Sequence, residues 1–558
     1  MAPLKPSNRN RWSLITTVLL LGLISLVQPG CNCGSSNSFT PAVIASVFPT
    51  ANSTNALTST DVIAVFGIDM NESTINDTTF TLTEAGGALQ DAVVSYDPLS
   101  RSATLNPDTD LKPNTQYLAT ISAAIEDSAG NNPLGNDFSW SFTTAPSILL
   151  VSSNGDGVAG NNQSRAPDID ANGRYVVFTS AATNLVSNAT LNGLSQVYRK
   201  DTLTGEIVLV SSDASGLVPA NRDCASPRIS NNGRYVVFES AADNLDDDPG
   251  SGGIPQIYLK NLDTNTIELV SRDFLGNPDN GSGGASNAEV SENGRYIVFQ
   301  SRDPDLSAIP GNTFTQIYRK DVSNEDVVMI SRSAAGAAGD NASQNADMSP
   351  DGTHIVFESS AINLGATGGN RHIFYVDAGA TTHSVELIST STTSIDATDD
   401  SSNPSVSDDG SLVAFDTLAD NMDTDDTNGA ADIYMRDRSL DETRVVSVTS
   451  TGVSSTGAST NAQISGNGSY IVFESLAVDI DGGTLGVRDI FVRDITVLPT
   501  IDINRINIPV SGSTSSDTVN PAISTDGRYV SFESGESYTL DNTGGLVNIY
   551  RALNSTFQ

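Results

Sequence analysis

From Ile148 onward the chain alternates short apolar runs with polar turns on a fixed period. One phrase, Asn172-Gly173-Arg174-Tyr175-Val176-Val177-Phe178, returns with Gly233, Gly294, Gly352, Gly410, Gly468 and Gly527 in the glycine position, at spacings of 58 to 61 residues. Seven copies near 59 residues fill the 411 residues from Ile148 to Gln558, and a period of that length marks a repeat architecture. Each copy divides alike. In the second, Pro227-Arg228-Ile229-Ser230 leads to an Asn-Gly turn, the strongest short-range hairpin signal. Arg234 to Ser240 then alternates as a strand, and a long polar loop leads to Gln256-Ile257-Tyr258-Leu259-Lys260. A short turn leads on to Ile267-Glu268-Leu269-Val270-Ser271. Four strands per copy, A to D, make one propeller blade.

The strand tally predicts closure. D strands are expected to begin at Ile148, Ile207, Ile267, Val327, Val385, Arg444 and about Arg505. The first of them precedes the first A strand, and the last blade has none of its own. Ile148 to Ser153 is therefore expected to complete the blade built from the C-terminus, which removes two open sheet edges.

From Pro41 to Thr144 the pattern differs. Seven short alternating segments lie between turn signals: Val43 to Phe48, Val62 to Phe66, Phe80 to Thr83, Ala92 to Tyr96, Ala103 to Asn106, Gln116 to Ala123 and Ser139 to Thr143. About seven strands in about a hundred residues, with no helical period, predict an antiparallel sandwich. Phe66, Tyr117, Trp140 and Phe142 are its expected core aromatics, and Asp127 is expected to hold an Asx turn. The fold class is thus all-β: an Ig-like sandwich followed by a seven-bladed propeller.

Two resemblances accompany this reading. Phe48 to Asn52, Val65 to Met70, Tyr117, Asp127 to Asn131 and Trp140 to Thr144 resemble the bacterial Ig-like domain of surface-layer and adhesin-like proteins. That resemblance implies a spacer or adhesive module without chemistry. The turn phrase Ser349 to Ser359 and the segment Asp432 to Asp437 resemble the propeller (PD40, WD40-like) repeats of TolB-like periplasmic proteins, over all seven copies. The α/β domain that accompanies the propeller in TolB is absent, and a shared fold implies no shared activity.

The first thirty residues read as an export signal: Lys5, Arg9 and Arg11 precede an apolar run from Leu14 to Val27. That run is shorter than the ~20 residues of a membrane-spanning helix. Gly30-Cys31 resembles a bacterial lipoprotein cleavage point, with Gln28 and Pro29 where such signals carry Leu and a small residue. Cys31 is the expected lipidation site, and residues 31–40 a flexible tether. Domains of 41–144 and 148–558 follow.

Charge narrows the function classes. Twenty-eight Lys+Arg against 66 Asp+Glu leave the 558-residue chain at −38, which repels nucleic acid and anionic lipid. No nucleic-acid partner is expected, and no membrane contact except through the anchor. Three cysteines make no disulfide framework. The three histidines, His354, His372 and His383, all fall in the fourth repeat at sheet or turn positions. No Gly-x-Ser-x-Gly, His-Glu-x-x-His or phosphate-loop motif occurs. Cys224 is placed in a D–A loop, and no cofactor is implied, calcium being the one candidate.

Loop lengths select one face. A–B and C–D turns are short, whereas the B–C and D–A connections, such as Ala241 to Pro255 and Asp213 to Ala225, are about twice as long or more. Long loops often carry function. Among them, Asp423, Asp425, Asn428 and Asp432 come nearest an oxygen-rich calcium loop, without the glutamate that would complete an EF-hand. Phe274, Phe314 and Tyr538 are the main rings these loops offer, which favours a protein or peptide ligand over sugar. The expected function is an exported, monomeric cell-envelope scaffold (an outer-membrane lipoprotein, periplasmic or surface-exposed). Its long-loop face would bind an envelope protein or peptide. The alternative is a polysaccharide-processing enzyme with paired carboxylates on the same face.

If Cys31 carries the anchor, Cys31→Ser moves the protein from the membrane to the soluble fraction. An unmodified N-terminus downstream of Cys31, read by mass spectrometry of the wild type, refutes the assignment.

Overall fold

The computed structural model describes residues 43–554 except 54–55, 57–59, 110, 145–146, 188, 192, 247–252, 273–283, 310–312, 427, 498–501, 508–515 and 540–544. The export signal, Cys31 and Phe274 lie outside the described residues. No helix among those described is long and apolar enough to cross a membrane.

The first unit packs two antiparallel sheets. One orders β1 (Ile44–Phe48), β2 (Val62–Phe66), β5 (Ser102–Pro107) and β4 (Ala92–Asp97); the other orders β3 (Phe80–Glu84), β6 (Gln116–Ile121) and β7 (Phe138–Thr143). Alternation places Phe66, Tyr117, Trp140 and Phe142 inside, all nearly inaccessible, with Tyr117 stacked on Phe142 at 5.9 Å. The Trp140 indole N–H donates to the Pro49 carbonyl at 3.1 Å, so the buried ring keeps a polar partner. Asp127 does hold an Asx turn: its Oδ1 accepts the N–H groups of Ala129 and Asn131, both at 2.9 Å.

The second unit is a closed ring of seven four-stranded sheets. In blade 2 the strands are A (Cys224–Ile229), B (Tyr235–Ser240), C (Gln256–Asn261) and D (Ile267–Leu269). The A strands lie side by side around the axis, blade 7 meeting blade 1, and the D strands lie outermost. Closure follows the expected route. Ile148–Leu150 pairs with Asn548–Leu553, placing Leu150 opposite Tyr550 and Ile148 opposite Ala552. The D strands of blades 5 and 6 start earlier than expected, at Glu442 and Asp502. Their ladders already begin at the Asp437–Glu442 and Asp494–Asp502 pairs.

Two recurring contacts explain the repeated phrase. Within each blade the B-strand Phe stacks on the C-strand aromatic, from Phe178 on Tyr198 (5.9 Å) to Phe532 on Tyr550 (5.8 Å). Between blades, the glycine of each A–B turn lies against the first B-strand residue of the preceding blade. A Cβ on Gly233 would stand 2.3 Å from the Tyr175 ring, and one on Gly173 equally close to Tyr529. These turn glycines also have φ of 67–78°, a region costly for side chains. The Tyr ring is then covered from its own blade: the Arg199 guanidinium lies 4.3 Å above Tyr175 and donates to the Gly233 carbonyl at 2.7 Å. Arg319 over Tyr296 and Arg551 over Tyr529 repeat this.

Gly233→Ala is therefore expected to destabilise the ring by roughly 2–4 kcal/mol, combining left-handed backbone strain and overpacking. Gly157→Ala, with φ of 82° but nothing within 4 Å of the new methyl, should cost only about 1–2 kcal/mol. Urea melts of the two variants measure the difference, which isolates the inter-blade contact.

Candidate functional site

The third residue of every A strand (Ala166, Ser226, Asn287, Asn345, Asn403, Asn461, Asn520) has φ between 46° and 55°. There the A–B register slips, forming a bulge in each blade. Asparagine tolerates that backbone region, which accounts for its presence in five of the seven copies. The bulges line a central cavity of about 290 Å³, whose wall also includes Arg228, Glu289, Asp347, Ser405 and Gln463.

Behind the bulges runs a ring of B-strand carboxylates that joins neighbouring blades. Glu358 accepts from Asn345 of its own blade at 2.7 Å and from the Asn403 backbone N–H of the next at 3.3 Å. Asp416 repeats this with Asn403 and Asn461, and Glu533 with Asn520 and Ala166. Glu239 and Gln300 accept the bulge N–H groups of Asn287 and Asn345. Burial pushes Asp416 up to about 6 and Glu474 up to about 7.

Deeper in the channel, Arg228 donates to Glu289 at 2.6 Å, with Asp168 and Asp347 near it. Burial raises Glu289 against the pull of Arg228, and Asp347 and Asp168 add to the rise. Asp168 and Asp347 also accept the N–H groups of Ile229 and Val406 in the following blade, both at 2.8 Å. These carboxylates thus hold blade seams together.

On the long-loop face, a recurring asparagine of the B–C loop staples the D–A loop. Asn184 accepts the Asn161 N–H and donates to the Ala159 carbonyl; Asn244, Asn363 and Asn421 make the same two bonds, all at 2.8–3.1 Å. The signal was present in the phrases Ala182-Thr183-Asn184-Leu185, Ala242-Asp243-Asn244-Leu245 and Ala361-Ile362-Asn363-Leu364. The sequence pattern alone marks the long loops as acidic and hydroxyl-rich and assigns this asparagine no role. It likewise missed the bulge residue, whose signal is Asn followed by Ala or Pro in mid-strand A.

The proposed calcium residues fill repeat-wide structural positions. Asp432 opens strand C, where Gln196, Gln256, Gln316, His372, Asp489 and Asn548 stand in the other blades. Asp432 accepts from Ser447 Oγ at 2.5 Å, as Gln196 accepts from Ser211 at 2.7 Å. Asn428 donates its amide to Asp432 at 2.6 Å rather than sharing a ligand with it. Burial pushes Asp432 up to about 7. Asp423 accepts the Val445 N–H at 3.2 Å, the role Asp246 plays for Leu269 and Asp481 for Arg505. Asp425 is exposed. Among the described residues no three His, Cys, Asp or Glu side chains stand together as metal ligands.

Other expectations are resolved by position. His354 replaces the inter-blade Tyr, facing Gly410 and bonding Tyr375 at 2.6 Å; His372 is buried against Ser389, and His383 bonds the Arg332 carbonyl. Cys224 is not in a loop but opens strand A. Its N–H bonds the Ser195 carbonyl, and burial pushes its thiol up to about 11. Tyr538 is no surface ring: it is 3% exposed, edge-on to Phe532 and Tyr550. Phe314 is 40% exposed.

Residues 39–144 match the bacterial Ig-like domain family. No curated protein matches the chain. Among solved structures it is similar to TolB from Acinetobacter baumannii (15% identity, 65% of this chain and 79% of that one, TM-score 0.32). It is also similar to the β-propeller domain of the Trilobed protease from Pyrococcus furiosus (13%, 70% and 94%, 0.41). A third is an oligogalacturonate lyase from Vibrio parahaemolyticus (12%, 74% and 94%, 0.44).

Asp416, Asp432 and Glu474 all titrate above their ordinary values. Each binds its proton more tightly when folded, so its contribution is complete below the unfolded pKa and is lost as pH rises through about 6 to 7. The melting temperature is expected to be several degrees higher at pH 5 than at pH 8. Asp432→Asn with Glu474→Gln should flatten that slope in calorimetric scans; an unchanged slope removes these two groups as its source.

Proposed function

We propose that the chain is an exported cell-envelope binding protein whose propeller engages a protein or peptide partner on its long-loop face. The observation that carries this reading is the asparagine stapling of that face. Loops ordered before a partner arrives lose less conformational freedom on binding, so more of the contact energy appears as affinity. Exposed apolar side chains stand on the same loops: Val158, Leu217, Ile395 and Val453 are 48–59% accessible. An Ig-like unit at residues 39–144 suits a spacer between an anchor at Cys31 and the ring. The protein acts as a monomer in this reading.

Photo-crosslinking in intact cells tests the face. Benzoylphenylalanine at Leu217 or Ile395 should give a discrete adduct, and at Leu440, a 64% exposed C–D turn residue of the opposite face, none. Adducts from Leu440 alone would place the partner on the wrong side.

A further inference from the structure

The seat at the start of strand C is filled differently in blade 4. In blade 1, Gln196 accepts the Ser211 hydroxyl at 2.7 Å and donates its amide to the Ala220 carbonyl of the D–A loop at 2.9 Å. Gln316 repeats both bonds in blade 3, with Ser331 at 2.6 Å and the Gly339 carbonyl at 2.9 Å. Blade 4 has His372 there, 0% exposed, at the head of His372–Asp377. Its Nδ1 lies 3.1 Å from Ser389 Oγ, which also accepts the Ile373 N–H. The serine proton is thus free for Nδ1, and the neutral ring carries its own proton on Nε2. The loop carbonyl matching those of Ala220 and Gly339 belongs to Ala397, whose N–H likewise bonds the Ser389 carbonyl at 2.9 Å. His372 does not reach it: Nε2 is buried with no partner in hydrogen-bonding geometry, the Thr367 backbone lying beside the ring. The clamp that glutamine completes is only half made.

Two aspartates tie the loops over this seat together. Asp396 of the D–A loop accepts the Thr367 N–H at 2.8 Å and the Thr367 hydroxyl at 2.5 Å, and Asp400 accepts the Arg371 N–H at 2.8 Å. Burial pulls His372 below its ordinary value, against Asp396 and Asp400, the charged groups facing the imidazole. Arg371 turns to Glu358 and Asp400 at 3.7 and 3.6 Å, and the residue opposite His372 on strand B is the uncharged Ser359. A histidine with a lowered value supports the folded form above the ordinary value of about 6.5 and loses that contribution as pH falls through the folded value. A second proton would occupy the lone pair that accepts from Ser389 and place a full charge in a seat without water.

We propose that His372 is an acid-released latch on the long-loop face: on taking up a proton it leaves its seat for Asp396 and Asp400 and frees the B–C loop 360–371 from the D–A loop 388–400. The imidazolium competes with Thr367 and Arg371 for the same carboxylates, and it brings a cation where Thr367 offers neutral donors. Ile395, an exposed apolar residue of the proposed partner face, stands on the freed loop. The latch therefore adds regulation to that face, and only this consequence rests on the partner reading.

Hydrogen exchange of the full protein, read by mass spectrometry and corrected for the intrinsic pH dependence of the reaction, reports on the loops directly. From pH 7.5 to pH 5, protection of 360–371 and 388–400 is expected to fall at least fivefold. The fall is limited to about thirtyfold for a histidine whose exposed form titrates near 6.5. The 213–223 loop, clamped by Gln196, should keep its protection. The direction is opposite to that of the ring as a whole, which gains stability in acid. His372→Gln installs the residue of blades 1 to 3 and is expected to abolish the fall. Unchanged wild-type protection, a measurement that needs no variant, overturns the proposal. So does an equal fall in His372→Gln, which would pass the effect to other groups. With benzoylphenylalanine at Ile395, partner adducts should weaken at pH 5 in the otherwise wild-type chain and not beside His372→Gln. Equal adducts at both pH values, with protection lost, overturn the regulatory role. No Ile395 adduct at either pH refutes the partner face at this loop and leaves the latch, which exchange reads without a partner.

Discussion

The contact between a turn glycine and the aromatic ring of the preceding blade is the constraint on which the ring depends. Each blade buries its B- and C-strand aromatics against one another, but a four-stranded sheet has two faces and both must be covered. Gly233 lets the A–B turn settle directly on Tyr175, while Arg199 lies over that ring and bonds the same turn. The geometry admits no β-carbon at the glycine. Where His354 takes the place of the tyrosine, Gly410 keeps the same approach, whereas against Leu412 a Cβ on Gly468 would stand at 3.2 Å. The last such contact, Gly173 on Tyr529, joins blade 1 to blade 7. It works with the borrowed strand Ile148–Leu150 to close the circle.

Closing seven such seams brings the A strands to the axis, where no further sheet can pair with them. The bulge at each third residue answers this. It turns a backbone N–H towards a B-strand side chain of the preceding blade, a carboxylate in four seams and Gln300 in a fifth, and in five blades it leaves an asparagine amide on the channel wall. The acidic ring is therefore structural first: Glu358, Asp416 and Glu533 bridge blades while remaining poorly solvated. Their raised affinity for protons is the electrostatic consequence of using buried carboxylates as acceptors.

The opposite ends of the blades are unequal for a related reason. Short A–B and C–D turns pack against neighbouring blades, so their length is set by the seam. The D–A loops also reach the following blade, the Ala214 carbonyl accepting from Asn265 and the Arg332 carbonyl from His383, each in a C–D turn. The B–C and D–A loops have grown long and acidic, and an internal asparagine staple ties them down. In the oxygen-rich stretch from Asp423 to Asp432, Asp423 accepts a backbone N–H and Asp432 a serine hydroxyl, while Asp425 is exposed.

Much of this was legible in the residues alone. A 59-residue period, an Asn-Gly turn before each B strand and a D-type strand ahead of the first blade determined the fold class, the ring and its closure, because local alternation and turn chemistry act within a single repeat. The core aromatics of the Ig-like unit and the structural use of the histidines were equally readable. What the tertiary structure decided is everything that passes between repeats. Tyr538 has the composition of a loop residue, yet neighbouring Phe532 and Tyr550 bury it. That Asp423 and Asp432 fill the places of Asp246 and Gln196 shows only when the blades are compared in space. The channel and its bulged asparagines arise only when residues some sixty positions apart meet at a seam, and no pattern within one repeat carries that distance.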